Sequence, residues 1–378
     1  MSTATLIPLL AAPRRVDVKA IDRELAELWR AAAASSEAER IALSRARTLT
    51  LVAYAPTPDA GTRLAEVAAR TCQRHPARTI ILIADPAAAD LTAEVTAVCQ
   101  VRRRNLKQIC CEQVLIRTAP AAEGRIPSLV RQVILPDMPV VLYWPGPPPA
   151  ERLFRDLGEI VDRVIVDTAA VPDGHGALLA AHTLAADRSS HAALSDLTWG
   201  RMTTWRGLTA HFFDPPHTEA LDRITRIRVA HAGSSRAQGL LYVGWLAGRM
   251  RWRVEQPFIR GDGPWRGTLV DQRGRAIPVS LHAESRAPHP AGALLSTLIV
   301  TGSPGGQNGG ATFSIARKDD AGSVIAVAES EHGQVIRRAL PLDPQDEVPL
   351  LAAEMDVLGH DRVYEESLRA VAALLGQA

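Results

Sequence analysis

Apolar residues follow two different rhythms along the chain, and the change between them divides the sequence. Between residues 46 and 190, short continuous apolar runs alternate with stretches whose apolar residues recur every three or four positions. Continuous runs are typical of strands buried on both faces, and the longer spacing is typical of amphipathic helices. The pattern predicts an α/β domain with a mostly parallel sheet and flanking helices. The strand candidates are TLTLVAYAP, ARTIILIADP, MPVVLYWPG and RVIVDT, with AEVTAVCQVR and ICCEQVLIRT as a predicted antiparallel pair.

Beyond this domain the rhythm changes twice. Residues 174–250 have helical spacing, and the Asp-Pro-Pro at 214–216 predicts the end of one helix because proline cannot continue it. From Arg251 the period becomes two, with Gly, Pro or Asp between the runs, which predicts an antiparallel meander. The Gly-rich stretch Ser303–Gly310 is expected to be a hairpin loop within it.

Helical patterns also occupy both ends of the chain. The start predicts a leader followed by a helix that carries Leu25, Leu28 and Trp29 on one face. The end predicts two helices, and one face of the last is lined by Tyr364, Leu368, Val371 and Leu375. The predicted segments are a leader and helix (1–45), the α/β domain (46–190), a helical connector (191–250) and an antiparallel β-sheet domain with terminal helices (251–378).

Composition and charge narrow the function classes. The net charge is +2, and basic residues are nearly matched by carboxylates, so no dense positive stripe predicts nucleic-acid binding. The first residues do not have the pattern of an export signal, so none is expected, and the longest late apolar run, Ala237–Gly248, is too short to span a bilayer. We therefore expect a cytoplasmic protein with no membrane association. Four cysteines predict buried thiols in a reducing compartment rather than a disulfide framework.

Motifs for cofactors and catalysis are missing from the sequence. It contains no G-x-G-x-x-G, no phosphate-binding G-x-x-x-x-G-K-[ST] and no G-x-S-x-G, so we expect no cofactor and no nucleophile elbow. His211, Asp214 and His217 could suggest a metal site, but no further ligand completes the set. A structural role is favoured for these three, and no metal is expected.

One stretch is unusually aromatic for a chain that is 4% aromatic. SDLTWGRMTTWRGLTAHFFDPP, Ser195–Pro216, is called the signature below. Its spacing predicts arginine stacked on tryptophan, a pairing worth about 0.5–2 kcal/mol. Trp and Arg also dominate protein–protein hot spots, whereas large aromatics can equally fill an interdomain seam. The candidate residues for partner contact or for such a seam are Trp199, Arg201, Trp205, Arg206, Phe212, Phe213 and Asp214, with packing favoured for the two phenylalanines.

At the signature the chain resembles the glucose-6-phosphate dehydrogenase assembly protein family, OpcA. The resemblance extends to RTCQRHPARTIILIADP, CEQVLIRTAPAAEGRIPSLVRQVILPDMPVVLYWPGPPP, RVIVDTA and the closing LGHDRVYEESL. It implies a non-enzymatic allosteric activator that binds glucose-6-phosphate dehydrogenase, promotes its active oligomer and raises its affinity for substrate. Such a protein would support the oxidative pentose phosphate pathway and the NADPH supply.

The resemblance also bears on redox control. In cyanobacterial members, cysteines late in the chain are linked to thioredoxin. This sequence has no cysteine after Cys111, so that route is not expected here. Self-association stays open.

Two other functions are compatible with the sequence. A sugar-phosphate-binding or hydrolytic enzyme would use the strand ends near Trp144 and Asp167, because aromatic rings suit sugar faces and arginine suits phosphate. A structural scaffold for another enzyme is the third. Titration with glucose 6-phosphate distinguishes the sugar-phosphate enzyme from an assembly factor. A pull-down from lysate identifies the enzyme that a scaffold would bind.

Overall fold

Two β-sheets and the helices packed against them form the framework of the chain. In this computed structural model the described residues are 6–8, 14–39, 42–45, 47–101, 107–172, 174–187, 189–215, 217–233, 236–284, 293–302, 310–318, 322–330, 333, 335–342, 345–357 and 359–377. The predicted hairpin loop at Ser303–Gly310 lies outside them except for Gly310, and so does Pro216.

The first sheet confirms the predicted α/β class with a mostly parallel sheet. Its strands, in the described residues, are β1 (Leu6–Pro8), β2 (Arg14–Val16), β3 (Ala42–Arg45), β4 (Leu49–Ala55), β5 (Ala77–Ala84), β6 (Thr92–Val101), β7 (Lys107–Thr118), β8 (Val140–Trp144), β9 (Arg163–Val166) and β10 (Ala193–Asp196). The main order is β1-β6-β7-β5-β4-β8-β9-β10, and every pair from β7 to β10 is parallel. β6 and β7 are antiparallel, as predicted. β1 and β2 pair with β6, and β3 pairs with β7, so the expected leader contributes strands to this sheet.

Helices on both sides of this sheet follow local sequence signals. They are α1 (Ile21–Glu39), α2 (Pro58–Thr71), α3 (Ile126–Val133), α4 (Arg152–Gly158) and α5 (Gly174–Ala186). In α2 the Thr57 hydroxyl accepts a hydrogen bond from the Ala60 amide, and Pro58 occupies the first turn, where its missing N–H costs nothing. Leu64 and Val67 then fall on the buried face, as their spacing predicts.

The second sheet corrects the predicted connector. Its strands are β11 (Ile224–Ala232), β12 (Arg253–Ile259), β13 (Trp265–Val270), β14 (Ala276–Glu284), β15 (Leu294–Thr301), β16 (Ala311–Arg317), β17 (Ser323–Ser330) and β18 (Val335–Pro341), in the order β12-β13-β14-β11-β15-β16-β17-β18. The prediction of helix throughout 174–250 is wrong, because β10 and β11 lie within it. β11 also interrupts the meander, since it lies between β14 and β15 and runs parallel to β14.

Helices from the second half of the chain pack against both sheets. They are α6 (Leu197–Gly200), α7 (Thr203–Phe212), α8 (Ala237–Met250), α9 (Glu347–Met355) and α10 (Arg362–Leu374). The two predicted C-terminal helices are confirmed, and Tyr364, Leu368 and Val371 are buried. α7 ends before Asp214, as the prolines predict. Among the described residues, no helix has both the length and the apolar character to cross a membrane.

The expectation of free buried thiols is wrong. Cys72, at the end of α2, forms a disulfide with Cys111 in β7, with 6.2 Å between the Cα atoms. Successive residues of a strand point to opposite faces, so Cys110 and Cys111 meet different layers. The two cysteines are 39 residues apart, so local spacing does not predict the pairing. The connection from α2 to β5 brings them together in the fold.

The packing of α8 against α10 requires glycine at one position. A Cβ on Gly244 would lie 2.6 Å from the Ser367 carbonyl oxygen, whereas a Cβ on Gly248 would stay 3.4 Å from the Glu366 carbonyl oxygen. We expect Gly244→Ala to lower the free energy of unfolding by about 1–3 kcal/mol through overpacking.

Gly248→Ala is the matched control in the same helix. It should be neutral or stabilising by up to about 1 kcal/mol, because alanine favours helix. Urea unfolding followed by circular dichroism measures both variants. Equal midpoints for the two would contradict the close approach of the helices at Gly244.

Candidate functional site

The signature connects the two sheets. It begins at the end of β10, continues through α6 and α7, and reaches β16, where the ring of Phe213 lies 5.0 Å from that of Phe313. Because β10 is parallel to its neighbour, its carboxyl end lies at the sheet edge where ligands commonly bind in such folds. The polar groups at this edge therefore decide what the site can do.

A buried carboxylate lies at the start of the signature. Asp196 is fully buried and accepts hydrogen bonds from the Thr168 amide (3.1 Å) and hydroxyl (2.7 Å) and from the Thr198 amide (2.9 Å). The Tyr364 hydroxyl of α10 donates a fourth, at 3.0 Å. One carboxylate thus joins the loop after β9, the start of α6 and the C-terminal helix.

A second carboxylate is held by an arginine of the signature. Both terminal nitrogens of Arg201 donate to Asp167, at 2.7 and 2.8 Å, and the Thr198 hydroxyl also donates to it at 3.0 Å. Two-point pairing of this kind is the strong geometry for arginine and carboxylate. Asp167, proposed from the sequence as part of a sugar-phosphate site, therefore has its oxygens occupied within the chain.

Asp167 and Asp196, with their hydrogen-bond donors, form a polar layer at the ends of β9 and β10. A buried ion pair extends this layer to α9. Arg163 of β9 donates to the Ser195 hydroxyl, to Glu354 at 3.3 Å and to the Gly359 carbonyl at 2.9 Å. The side chains of Arg163 and Glu354 are 2% and 15% exposed. Burial lowers the pKa of Arg163, and the charge of Glu354 opposes that shift.

The region between the sheets where the signature meets β9, α9 and α10 is called the seam below. The tryptophans of the signature lie in it. Trp199 donates its indole N–H to Asp361 at 2.8 Å, and the guanidinium carbon of Arg206 lies 3.5 Å from the centre of its ring. The predicted stacking of arginine on tryptophan is therefore confirmed. Burial lowers the pKa of Arg206 to about 10. Trp205 is 0% exposed, and its indole N–H has no hydrogen-bond partner among the described residues.

The end of the signature is more open. Phe213 is buried and Phe212 half-buried against Phe313, with the Phe212 and Phe313 rings 5.2 Å apart. Asp214 is exposed and pairs with His211 at 2.9 Å. In the described ranges, no group of three or more His, Cys, Asp or Glu side chains is arranged to hold a metal ion.

The candidate residues thus divide into two sets. The structure places Trp199, Arg201, Trp205, Arg206 and Phe213 in the seam, and Phe212 and Asp214 at its open end. Contact of any of them with a partner stays a prediction. Sequence reasoning missed the seam residues Arg163, Glu354, Asp361 and Tyr364 as partners of the signature. The closing segment LGHDRVYEESL, which contains two of them, is the signal that could have pointed to α10.

Trp144, the other residue of the sugar-phosphate hypothesis, is packed by aromatic neighbours. Its ring stacks on Tyr54 with centroids 3.9 Å apart and meets the Phe154 ring edge-on at 5.2 Å. Only 7% of Trp144 is exposed. A sugar ring stacking on Trp144 would have to displace Tyr54.

The stability of the seam should depend on pH through Asp196. Burial, and then the charge of Asp167, raise the pKa of Asp196 from 3.8 to about 6. The folded chain therefore binds the proton more tightly than the unfolded chain, and this contribution to stability is full below pH 3.8 and is lost as the pH rises through about 6. Between pH 7.5 and 5 it should amount to about 1.4 kcal/mol, the value of one pKa unit.

Asp196→Asn removes this titration while keeping the shape of the side chain. The unaltered chain should gain about 1.4 kcal/mol over the variant when the pH falls from 7.5 to 5. Urea unfolding of both proteins at the two pH values measures the difference. A constant difference would show that Asp196 does not titrate in this window.

Comparisons with known proteins cover both halves of the chain. The family model described as the glucose-6-phosphate dehydrogenase subunit N-terminal domain matches residues 68–183, and the C-terminal domain model matches residues 192–368. Proteins named OpcA and assigned by name to the OxPP cycle are 28% identical in Synechocystis sp. and 29% identical in Synechococcus elongatus. The alignments cover 80% and 76% of this chain but 64% and 65% of those relatives, which is less than two thirds of their length.

Solved structures with a similar outline are more distant. A 3-ketoreductase from Actinomadura kijaniata aligns with a TM-score of 0.44 and 13% identity, over 85% of this chain and 95% of its own. A biliverdin reductase from Synechocystis sp. aligns with a TM-score of 0.43 and 8% identity, over 87% and 98%. Likeness at this level carries no inference about chemistry.

Proposed function

This chain belongs to the OpcA family of glucose-6-phosphate dehydrogenase assembly proteins, and from that premise we propose that it binds glucose-6-phosphate dehydrogenase as a non-catalytic assembly factor. The observation that carries the proposal is the match of family models for a dehydrogenase subunit to both halves of the chain, over residues 68–183 and 192–368. In this role the chain promotes the active oligomer of the enzyme. It thereby supports the oxidative pentose phosphate pathway and the NADPH supply in the cytoplasm.

The seam supports an interaction role for the chain. Asp167, Asp196 and Glu354 receive hydrogen bonds from side chains of the chain itself. The bonds to Glu354 and Asp196 connect the first sheet with α9 and α10, and the bond to Asp167 connects it with the end of α6. Arg163 and Arg201 are likewise committed to carboxylates. A seam of this kind favours a fixed arrangement of the two sheets. The chain then presents its outer surface to a partner as one body.

Activation by such a body requires only a modest energy difference. A binding protein shifts its partner between states by the difference in its affinity for them. Tenfold tighter substrate binding by the dehydrogenase corresponds to about 1.4 kcal/mol of coupling. Docking on the active oligomer, with little affinity for the inactive form, supplies that difference without any bond-making by this chain.

The test combines association with kinetics. The full chain is mixed with its cognate dehydrogenase, and the species are measured by size-exclusion chromatography with light scattering and by substrate saturation. We expect co-elution, a larger dehydrogenase oligomer and half-saturation at roughly tenfold lower substrate, the size typical of allosteric coupling. Separate elution with an unchanged saturation curve would refute the proposal.

Calorimetric titration of the isolated chain with glucose 6-phosphate is the control for the enzyme hypothesis. An assembly factor of the proposed kind gives no turnover and no tight binding in this titration. Turnover by the isolated chain would instead establish the sugar-phosphate enzyme.

A further inference from the structure

The strand β18 forms one edge of the second sheet. It pairs with β17 on one side, and no described residue pairs with its other side. The Leu342 amide donates to the Gly322 carbonyl at 2.9 Å, which sets the alternation of the ladder. By that alternation, the residues whose backbone groups point to the open edge are Val335, Arg337, Ala339 and Pro341. Pro341 fits this set, because it has no N–H to donate to β17.

Apolar side chains are exposed along this edge. Val335 and Ile336 are 55% and 53% exposed, although most large apolar side chains of the described residues are buried. A groove of about 460 Å³ runs between β17–β18 and the end of the signature. Its walls include Leu208, Phe212, Ala328, Ile336 and Leu340. An edge strand with exposed apolar residues is an attachment point for another strand, and proteins usually protect it.

The charge at the open edge of β18 indicates which kind of segment pairs with it. Arg337 and Arg338 are both exposed, and they point to opposite faces of the sheet. Antiparallel pairing of β18 with β18 of a second copy would bring these arginines near their equivalents, and like charges opposite each other are destabilising. The acidic groove residue Asp214 is already paired with His211. Among the described residues of β17 and β18, the exposed Arg337 and Arg338 outnumber the exposed Glu329, which opposes Val335, so the net charge at the edge is positive.

We infer that the open edge of β18 binds an extended segment of glucose-6-phosphate dehydrogenase that carries acidic and apolar side chains. The segment adds to the second sheet as a further strand. Its backbone bonds to the outward groups of Arg337 and Ala339, its carboxylates meet Arg337 and Arg338, and an apolar side chain enters the groove beside Phe212. Main-chain bonds supply affinity and side-chain pockets supply specificity in this mode of recognition. This inference rests on the proposed function.

The first test removes one outward N–H. Ala339→Pro deletes the amide hydrogen at the open edge and leaves the β17–β18 ladder intact, whereas Ala339→Thr at the same site keeps it. Using the full chain and the cognate dehydrogenase, we expect Ala339→Pro to raise Kd about tenfold, the effect of one buried hydrogen bond. Ala339→Thr should leave Kd unchanged. Equal Kd values for Ala339→Pro and the unaltered chain would refute strand addition.

A second pair of variants keeps the test valid if the proline variant folds poorly. Arg338→Glu should raise Kd by at least about tenfold, and Arg338→Lys by much less, because the expected segment is acidic. Hydrogen exchange of residues 335–341 should slow when the dehydrogenase binds. Unchanged exchange there, or equal Kd values for Arg338→Glu and Arg338→Lys, would contradict the inference.

The outcomes distinguish this inference from the proposed function. Failure of the unaltered chain to bind the dehydrogenase overturns both. Binding that is insensitive to Ala339→Pro and Arg338→Glu overturns only the assignment to β18. A chain that dimerises by itself, and becomes monomeric with Ala339→Pro, would assign the edge to a second copy and overturn the inference.

Discussion

Trp205→Ala is expected to lower the free energy of unfolding by about 3–5 kcal/mol, the cost of deleting a large buried aromatic side chain. Trp205 is 0% exposed and belongs to the main apolar core, which contains residues of both sheets, such as Val166 and Ile227. Its removal would leave a cavity beside α7 that rigid neighbours close only in part. The two sheets should consequently lose much of their mutual support.

Trp205→Phe is the matched control. Phenylalanine keeps part of the ring volume and removes an indole N–H that has no partner in the described structure, so we expect a loss below about 2 kcal/mol. Urea unfolding monitored by circular dichroism gives both values. Similar losses for the two variants would mean that ring volume at Trp205 does not determine the stability of the seam.

Glu354→Ala should have an effect of the same size for an electrostatic reason. It leaves the Arg163 side chain, which is 2% exposed, without its carboxylate partner. Breaking a buried pair in this way costs about 3–5 kcal/mol, because the remaining charge stays buried and has lost its strongest favourable partner. Glu354→Gln keeps an oxygen that can accept from Arg163 and Ser195, and it should lose less.

An exposed ion pair between α8 and α10 provides the control for Glu354. Glu366 lies 3.6 Å from Arg249, and their side chains are 38% and 56% exposed. Glu366→Ala should therefore change the free energy of unfolding by only about 0–1 kcal/mol. Thermal or urea unfolding of the three variants gives the comparison. If Glu354→Ala cost no more than Glu366→Ala, the polar layer between β9 and α9 would not stabilise the chain.

Both seam variants also bear on the proposed function. If the dehydrogenase binds the two sheets as one body, Trp205→Ala and Glu354→Ala should weaken its activation at temperatures where the seam of these variants no longer holds the two sheets together. Ala339→Pro changes only an outward edge, so it should weaken binding without lowering the unfolding midpoint. A variant that is stable but does not bind would separate docking from folding.

Local patterns in the sequence were sufficient for β4–β9, for the helices that flank them and for the two C-terminal helices, but they did not predict β1–β3 and β10 of the same sheet. Apolar runs, helical spacing and breakers such as Pro215 act within a few residues, so they are visible without the fold. The same patterns predicted an arginine stacked on a tryptophan in the signature. They did not identify β11 as a strand, because ITRIRVAHA lies between helical segments and becomes central only when β14 and β15 pair with it.

The sequence by itself therefore determined the type of most elements, the end of α7 and the concentration of Trp and Arg in one stretch. Only the tertiary structure decided that Trp205 is buried, that Asp196 meets Tyr364, that Cys72 pairs with Cys111, and that β18 is left as an open edge. These outcomes depend on contacts between residues far apart in the chain. Such contacts form only when the sheets and helices have assembled, and no local spacing encodes them.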